Sequence, residues 1–274
     1  MNKGQLSQLK NYEPLFGLVS TKPQFDNGPG KYRIGVIVMS TDYVTERDFA
    51  NMRPSDDVVC FVARIPNSND NNPESLSAME HHLGATASLI LPGGRVDVIA
   101  YSCTAASAIL GQQRIEKAIW ANKPGIPCVT PIQAAISALE AIDIKRIAVV
   151  TPYQDSVNAH VRTRLEASGL TIVNFLAFNF TDDTLMANLD PISIEAAIIE
   201  ADCREADAIF VSCTAIRACE LISNLEKKLK KPIITAVQAM YWNALRLAGC
   251  TAKINGYGKL LSDQSLRPPS AHIA

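Results

Sequence analysis

The sequence predicts an α/β protein of two similar lobes, each a parallel sheet flanked by helices, with a ligand site in the cleft between them. Apolar runs of strand length, such as Arg33–Met39, are bounded by polar loops, which is typical of strands buried on both faces of a parallel sheet. These runs alternate with segments of helical period. Three segments also repeat in the same order, at offsets of 113, 110 and 105 residues, which indicates that the two halves fold alike.

The repeated segments contain strands that run into polar loops or helices. They pair Arg33–Ser40 with Arg146–Tyr153, Asp97–Ala105 with Asp207–Ala215, and Cys128–Ala134 with Ile233–Ala239. In the middle pair, an apolar strand ends on Ser-Cys-Thr in both copies. Cys103 and Cys213 therefore occupy equivalent places in the two halves.

The remaining elements follow in chain order from the same patterns. The first repeat strand is followed by a helix at about Val44–Met52, a strand at Val58–Arg64 and a long helix at about Pro73–Leu91. We expect a helix after each Ser-Cys-Thr and a short strand at Gly125–Pro131. Met240–Leu247 is also expected to be helical.

The domain boundaries follow from these elements. Residues 1–31 are polar and carry turn formers, so we expect an arm that lies over the body or contacts a partner subunit. Residues 32–131 form lobe 1, which is completed by residues 236–262, and residues 132–235 form lobe 2. Residues 263–274 are expected to be a flexible tail.

Composition limits the classes of partner. The 274 residues carry a net charge of −1, from 26 basic and 27 acidic side chains, which predicts neither a nucleic-acid nor a membrane surface. No apolar run approaches the roughly 20 residues of a membrane span, and Met1–Lys10 is too polar for a signal peptide. The seven cysteines show no paired framework. We therefore expect a cytoplasmic protein with reduced thiols and a small-molecule ligand.

The two Ser-Cys-Thr strand ends are the main indication of chemistry. Ligands of open α/β sheets bind beyond the carboxyl ends of the strands, where Cys103 and Cys213 both fall. A helix N-terminus after each cysteine would stabilise a thiolate. If the lobes face each other, a thiolate on one side of a carbon can remove a proton while a thiol returns one to the other face, which is racemisation. Alternatively, one thiolate adds to a conjugated alkene and permits cis-trans isomerisation.

Other side chains are candidates for substrate binding. Thr104 and Thr214 are placed to hydrogen-bond a carboxylate beside each thiol, although Thr is also an ordinary helix cap. Matching strand ends put Tyr153 opposite Ser40, Thr41 and Asp42. Asn158 is equally well explained as an ordinary polar residue in the first turns of a helix.

Several polar residues have simpler explanations. Asp182 and Asp183 lie in a linker where a solvated turn is the commoner structure. His81 and His82 lack the spacing of a metal site and are expected at the surface. Phosphate-loop, dinucleotide-binding and zinc-protease motifs are absent from the sequence. We expect neither a metal nor an organic cofactor.

The chain resembles the aspartate/glutamate racemase superfamily, particularly its branch of maleate cis-trans isomerases and arylmalonate decarboxylases. The residues that carry the resemblance are the two Ser-Cys-Thr strand ends, Thr151-Pro-Tyr153, and the closing segment Pro232–Gly249. The resemblance implies two Rossmann-like lobes, a site between them, no cofactor, and a homo-oligomer, either a dimer or a tetramer. It also implies that Cys103 and Cys213 are the catalytic pair. The decarboxylases have glycine in place of the first, so Cys103 argues against decarboxylation.

Two departures from this branch bear on the substrate. Asp42 stands where maleate isomerases carry an asparagine that binds a substrate carboxylate, and a second such asparagine falls at Asp182 or Asp183. An aspartate repels a carboxylate but attracts an ammonium or amidine group. Together with Asp48 and Asn158, this pattern looks more like ectoine-utilization proteins of the EutA type, which are tied to ectoine and hydroxyectoine breakdown. The expected substrate is then a carboxylate that also bears positive charge.

These observations predict a cofactor-independent isomerase of the racemase or epimerase type, acting on an amino-acid-like carboxylate. Maleate-type cis-trans isomerisation by thiolate addition is the alternative reaction. A small-molecule binding protein on the same scaffold is the alternative outside enzymes, although binding alone requires neither thiol.

Overall fold

The computed structural model of the chain describes residues 15–17 and 19–266. The described part of the predicted arm, up to Lys31, forms neither helix nor strand and is mostly exposed, and its remainder lies outside these residues. Of the predicted tail, residues 263–266 follow the last helix in a turn, and residues 267–274 lie outside the described part. The predicted flexibility of the tail stays a prediction.

The first sheet consists of four parallel strands in the order β2-β1-β3-β4. Its strands are β1 (Tyr32–Met39), β2 (Val58–Ile65), β3 (Val98–Ser102) and β4 (Cys128–Val129). Seven of the eight residues of β1 and all five of β3 are buried, because helices cover both faces of a parallel sheet. The continuous apolar runs of the sequence follow from this burial.

The second sheet repeats the first, with four parallel strands in the order β6-β5-β7-β8. Its strands are β5 (Arg146–Tyr153), β6 (Thr171–Phe180), β7 (Ala208–Val211) and β8 (Ile233–Thr235). In both sheets the strand that precedes the Ser-Cys-Thr segment is central. The predicted α/β class with two similar parallel sheets is confirmed.

Twelve α-helices flank the sheets within the described residues. They are α1 (Thr45–Asn51), α2 (Pro73–Ala78), α3 (Glu80–Ser88), α4 (Thr104–Leu110), α5 (Gln112–Trp120), α6 (Pro131–Ala141), α7 (Asp155–Ala167), α8 (Asp183–Asn188), α9 (Pro191–Ala201), α10 (Ile222–Leu229), α11 (Ala236–Leu247) and α12 (Gly258–Ser262). A short 3₁₀ turn, Cys219–Leu221, precedes α10.

The long helix predicted over Pro73–Leu91 is two helices. Asn72 begins α2 with a capping box to Ser75. At Met79 the backbone N–H bonds the carbonyl of Ser77, so the regular i to i−4 ladder is interrupted before α3 starts. Gly84 lets α3 approach α5, because a Cβ there would lie 2.9 Å from the carbonyl oxygen of Ala118.

Helix α11 lies where the two sheets come together. Ala236 to Arg246 are all buried, and the helix packs against α6, strands β1, β3 and β4 of the first sheet, and β8 of the second. Helix α11 follows the last strand of the second sheet in the chain and packs against the first sheet. It therefore links the two halves. The domain boundaries expected from the sequence stay predictions.

A second contact between the halves involves α1 and the 3₁₀ turn. The Arg47 guanidinium donates to the Glu220 carboxylate at 2.6 Å, near the surface. Beneath this pair, Asp48 is 3% exposed, and one of its carboxylate oxygens has no hydrogen-bond partner among the described residues. Burial raises the pKa of Asp48 to about 6, and the Cys219 thiol and Arg47 oppose that rise.

Replacing Asp48 by asparagine is expected to change how stability depends on pH. The folded protein keeps the Asp48 proton to a higher pH than the unfolded chain, so the contribution of Asp48 to stability falls as the pH rises from about 4 to about 6. Asp48→Asn lacks this titration, and we expect it to gain about 1–3 kcal/mol relative to wild type between pH 4 and pH 7. Urea unfolding at both pH values measures the gain. The exposed Asp57→Asn is the control, and an equal gain in both variants would contradict the assignment.

Candidate active site

The two Ser-Cys-Thr segments meet where the sheets face each other. The Thr214 hydroxyl, which follows β7, donates to the main-chain oxygen of Ser102, at the end of β3, at 3.3 Å. Cys103 and Cys213 are 2% and 6% exposed. The nearby Cys213 thiol is one of the groups that raise the pKa of Cys103. The structure therefore brings the two predicted catalytic thiols into one buried site.

Cys103 lies at the start of a helix, as predicted. It is the N-cap of α4, and its sulfur accepts a hydrogen bond from the Ala106 N–H at 3.4 Å. Burial raises the pKa of Cys103 well above the usual value, and the Ala106 N–H opposes this. Negative charge on Asp183 and Asp42 raises the pKa of Cys103 further. The site therefore favours a neutral thiol at Cys103.

The predicted helix directly after Cys213 is wrong. The chain from Cys213 to Ala218 is irregular, with bends at residues 214–216, and the first helical residues after it are those of the 3₁₀ turn. The Cys213 sulfur instead accepts from the Ala215 N–H, two residues on, at 3.3 Å. Arg217 donates to the main-chain oxygen of Leu189 at 2.8 Å, which holds this segment in its irregular path.

Tyr153 adjoins Cys213 from the neighbouring strand. Burial raises the pKa of Cys213 to about 12, while the Tyr153 side chain and the Ala215 N–H lower it. The pKa of Tyr153 is itself raised by burial and then by both Cys213 and Cys103. Its phenol therefore lies beside the thiol pair, as the matching strand ends predict.

Asn158 supports Tyr153 from within lobe 2. Its side-chain amide donates to the main-chain oxygen of Tyr153 at 2.7 Å and accepts from the Thr151 hydroxyl at 2.6 Å. These bonds fix the end of β5 and the start of α7. Of the two explanations left open by the sequence, this geometry favours the structural one, and direct substrate contact by Asn158 stays a prediction.

Asp183 is buried rather than solvated. It is 3% exposed and begins α8, and Asp182 caps that helix by accepting from the Leu185 N–H at 2.9 Å. The Asp183 carboxylate accepts hydrogen bonds from Thr41 at 2.9 Å, from Asn67 at 3.2 Å and from Asn71. All three donors belong to the first half of the chain. The expectation of a solvated turn at Asp183 is wrong, because the loop after β2 covers it.

This loop, residues 67–72, joins the halves at the edge of the cleft. Asp70 and Asp182 form an antiparallel bridge, the Asn71 N–H donates to the Thr181 oxygen at 2.6 Å, and the Asp183 N–H donates to the Asn69 oxygen at 3.2 Å. Sequence reasoning missed Asn67 and Asn71. Their positions in the chain could have indicated the contact. The loop follows β2 and Asp183 follows β6, and β2 and β6 are the corresponding edge strands of the two sheets.

Asp42 and Ser40 make their contacts inside lobe 1. The Asp42 carboxylate accepts from the N–H groups of Val44 and Thr45, at 2.7 and 2.8 Å, and from the Thr45 hydroxyl at 2.7 Å. Burial raises the pKa of Asp42, and these bonds oppose the rise. Ser40 donates to the Asn67 side chain at 2.6 Å. Asp42 thus fixes the start of α1, and its predicted role toward a ligand stays a prediction.

Several buried polar atoms at the site lack partners. The Thr104 and Ser212 hydroxyls and the Asn71 side-chain oxygen make no normal hydrogen bond within residues 15–17 and 19–266. Buried polar groups in proteins are nearly always satisfied, so such atoms are unusual. In the same part of the chain, no group of three His, Cys, Asp or Glu side chains could hold a metal ion. His81 and His82 are exposed, as predicted.

A family model described as arylmalonate decarboxylase matches residues 62–261. The chain belongs to this family. In sequence, it is 25% identical to the maleate isomerase of Pseudomonas putida over 244 residues, which are 84% of this chain and 97% of that protein. It is 30% identical to the arylmalonate decarboxylase of Bordetella bronchiseptica over 142 residues, 51% of this chain and 59% of that protein.

The fold agrees with solved structures of this branch. A structure of maleate isomerase from Pseudomonas putida has a TM-score of 0.78 at 26% identity, covering 85% of this chain and 99% of that one. A variant of the Nocardia farcinica maleate cis-trans isomerase, with a covalently bound succinylcysteine intermediate, has a TM-score of 0.78 at 25% identity, covering 84% and 98%. The relatives are isomerases and decarboxylases of one superfamily, so the resemblance seen in the sequence is confirmed. In the described part of this chain, no helix is long and apolar enough to span a membrane.

Removing the Asn71 side chain is expected to weaken the contact between the halves. Asn71→Ala deletes a donor to the buried Asp183 carboxylate but keeps the main-chain bond to Thr181. We expect the free energy of unfolding to fall by about 1–3 kcal/mol. Ser68→Ala, in the exposed part of the same loop, is the control and should change it by less than about 0.5 kcal/mol. Denaturant unfolding distinguishes the two, and a neutral Asn71→Ala would show that the Asp183 contact is not stabilising.

Proposed function

We propose that the protein is a cofactor-independent isomerase of the racemase or epimerase type, in which Cys103 and Cys213 act on an amino-acid-like carboxylate. The observation that carries this proposal is the meeting of two buried thiols from equivalent strand ends, joined by the hydrogen bond from Thr214 to Ser102. Family membership supports it, since the relatives include isomerases.

The reaction needs one thiolate and one thiol. The thiolate takes the proton from the α-carbon, the electron pair passes into the substrate carboxylate as an enolate, and the opposite thiol returns a proton to the other face. Because burial raises the pKa of both cysteines, a free thiolate is costly in the empty site. A positive group on the substrate would lower that cost and form the base only when substrate is bound.

The charges of the site favour a substrate with a positive group. Asp183 and Asp42 are buried near the thiols, and both raise the pKa of Cys103 and Cys213. The unpartnered Asn71 oxygen adds a third acceptor beside Asp183. In this proposal the Thr104 hydroxyl, which has no partner among the described residues, donates to the substrate carboxylate. These acceptor groups would repel a plain dicarboxylate, whereas they would attract an ammonium or amidine group.

The proposal includes a metabolic role, a cellular location and an oligomeric state. The likeness to ectoine-utilization proteins suggests a role in ectoine or hydroxyectoine breakdown, whose intermediates fit a zwitterionic site. The free state of all seven cysteines supports a cytoplasmic location. A homo-oligomer, dimer or tetramer, is expected from the same resemblance.

Cis-trans isomerisation is the second candidate, and one observation favours it. The similar Nocardia farcinica structure holds a succinylcysteine intermediate, which is a thiolate adduct. By analogy, a Cys103 or Cys213 thiolate would add to an alkene carbon, the resulting single bond would rotate, and the thiolate would leave as the double bond re-forms. The buried carboxylates speak against maleate itself as that alkene, because it carries two negative charges.

Exchange of an α-hydrogen tests the proposed reaction. Wild type is expected to release an α-deuterium label into water from amino acids or their cyclic derivatives. The variants Cys103→Ala and Cys213→Ser are each expected to release it at least about a thousandfold more slowly, because each lacks an acid/base group. Cys60→Ala, a half-buried thiol on β2, is the control and should retain activity. NMR follows the label. Maleate turnover without α-exchange would favour the second candidate, and neither activity would indicate a binding protein.

The charge of Asp183 should set substrate preference. Asp183→Asn keeps the size of the side chain but removes its negative charge. We expect kcat/KM for a zwitterionic substrate to fall by about tenfold or more, and binding of a dicarboxylate such as maleate to tighten, because the repulsion is lost. Titration with both ligands measures this change. Weakened binding of both ligands would instead indicate that Asp183 has only a structural role.

A further inference from the structure

Tyr101 lies near the end of β3, just before Cys103, whose N–H donates to the main-chain oxygen of Tyr101 at 3.1 Å. It is fully buried in β3, two residues before the cysteine. Side chains two residues apart on an extended strand point to the same face, and Cys103 keeps an extended backbone with φ −146° and ψ 106°. The phenol and the thiol therefore share one face of the first sheet.

The phenol of Tyr101 has an unusual hydrogen-bond acceptor. Its O–H donates to the Met79 sulfur at 3.8 Å, and within the described residues it has no oxygen or nitrogen acceptor. A thioether is a weak acceptor, and a buried tyrosine normally finds a stronger one. Burial raises the pKa of Tyr101 well above its usual value, and the charge and hydrogen bonding of Cys103 raise it further. Cys103 therefore lies close enough to Tyr101 to influence its ionisation.

We propose that Tyr101 is a positioning residue for Cys103, whose phenolic O–H donates to the Met79 sulfur while Cys103 is a thiol and to the Cys103 sulfur when it becomes a thiolate. The proposal rests on the two-cysteine chemistry proposed above. A hydrogen bond to a charged sulfur is stronger than one to a neutral thioether, so ionisation of Cys103 draws the O–H toward it.

The surroundings of Cys103 explain why such a donor matters. The groups that oppose a thiolate there are its burial and the negative charges of Asp183, Cys213 and Asp42. The one backbone donor to its sulfur, the Ala106 N–H, is at 3.4 Å. No cation is among the main influences on its pKa. A second donor that can turn toward the sulfur stabilises the thiolate during turnover without requiring a fixed positive charge.

The repeat does not place the same group in lobe 2. The residue that matches Tyr101 is Val211, and Cys213 has a tyrosine neighbour from another strand, Tyr153 at the end of β5. The residue that matches Tyr153 in lobe 1 is Ser40. Each thiol therefore has its own phenol, supplied from non-equivalent positions. The acidity of the two cysteines can then be set separately, which two opposed acid/base groups require.

Thiol reactivity in the substrate-free protein tests the role of Tyr101. We expect Tyr101→Phe to lower the rate of iodoacetamide alkylation at Cys103 by about tenfold relative to Cys213, because one hydrogen bond to the thiolate is lost. Peptide-resolved mass spectrometry gives both rates in one sample, so the ratio cancels the opening of the shared cleft. The fall should persist from pH 7 to pH 9, as expected when the thiolate fraction sets the rate. An unchanged ratio would overturn the proposal.

Met79→Leu is the matched control in the same core. It removes the competing acceptor and keeps the volume, so the Cys103 to Cys213 ratio should stay the same or rise, and the double variant with Tyr101→Phe should behave like Tyr101→Phe alone. If Met79→Leu lowered the ratio as much as Tyr101→Phe, loosened packing would explain both and the proposal would fail. Tyr153→Phe should shift the ratio the opposite way, toward Cys103.

These results are separable from the proposed reaction. Alkylation requires no substrate, so an unchanged ratio in Tyr101→Phe would leave the isomerase proposal standing. Conversely, a tenfold change in the ratio together with no α-exchange on any candidate substrate would support Tyr101 as the donor to Cys103 while contradicting the reaction.

Discussion

Burial of two thiols and two carboxylates at the junction of the lobes is the constraint on which this site depends. Removing charged groups from water is costly, so the pKa values of Cys103, Cys213, Asp42 and Asp183 are all raised. The protein offsets this cost with hydrogen bonds, three to each aspartate and one backbone N–H to each sulfur. What remains is a buried site that is rich in hydrogen-bond acceptors.

The near-symmetry of the fold places these groups, and departures from symmetry differentiate them. Parallel sheets of the same strand order bring two equivalent strand ends together. Cys103 then begins a helix, whereas Cys213 lies in an irregular segment. The tyrosine beside each thiol comes from a different position in its lobe. Two acid/base groups on opposite faces of a substrate need different resting states, and such differences in surroundings can supply them.

Contacts across the cleft join the two halves of the chain. The loop after β2 covers Asp183 with amide donors and leaves the Asn71 oxygen free of partners among the described residues. The same loop therefore closes one edge of the cleft and completes the acceptor side of the site.

The sequence by itself determined the α/β class, the two similar sheets and the cysteine pair. These were readable because strands buried on both faces appear as continuous apolar runs, and because a repeat preserves local pattern. It also indicated Tyr153 and the exposed histidines, since strand ends and helix faces are local properties.

The tertiary structure decided what depends on contacts between distant residues. Asp183 is buried because Thr41 and Asn71, 142 and 112 residues away in the chain, donate to it. The chain after Cys213 is irregular rather than helical, and Arg217 within it bonds the distant Leu189. The role inferred for Tyr101 draws on its contact with Met79. No local pattern encodes these pairings, because a hydrogen bond across the cleft leaves no period in the sequence of either partner.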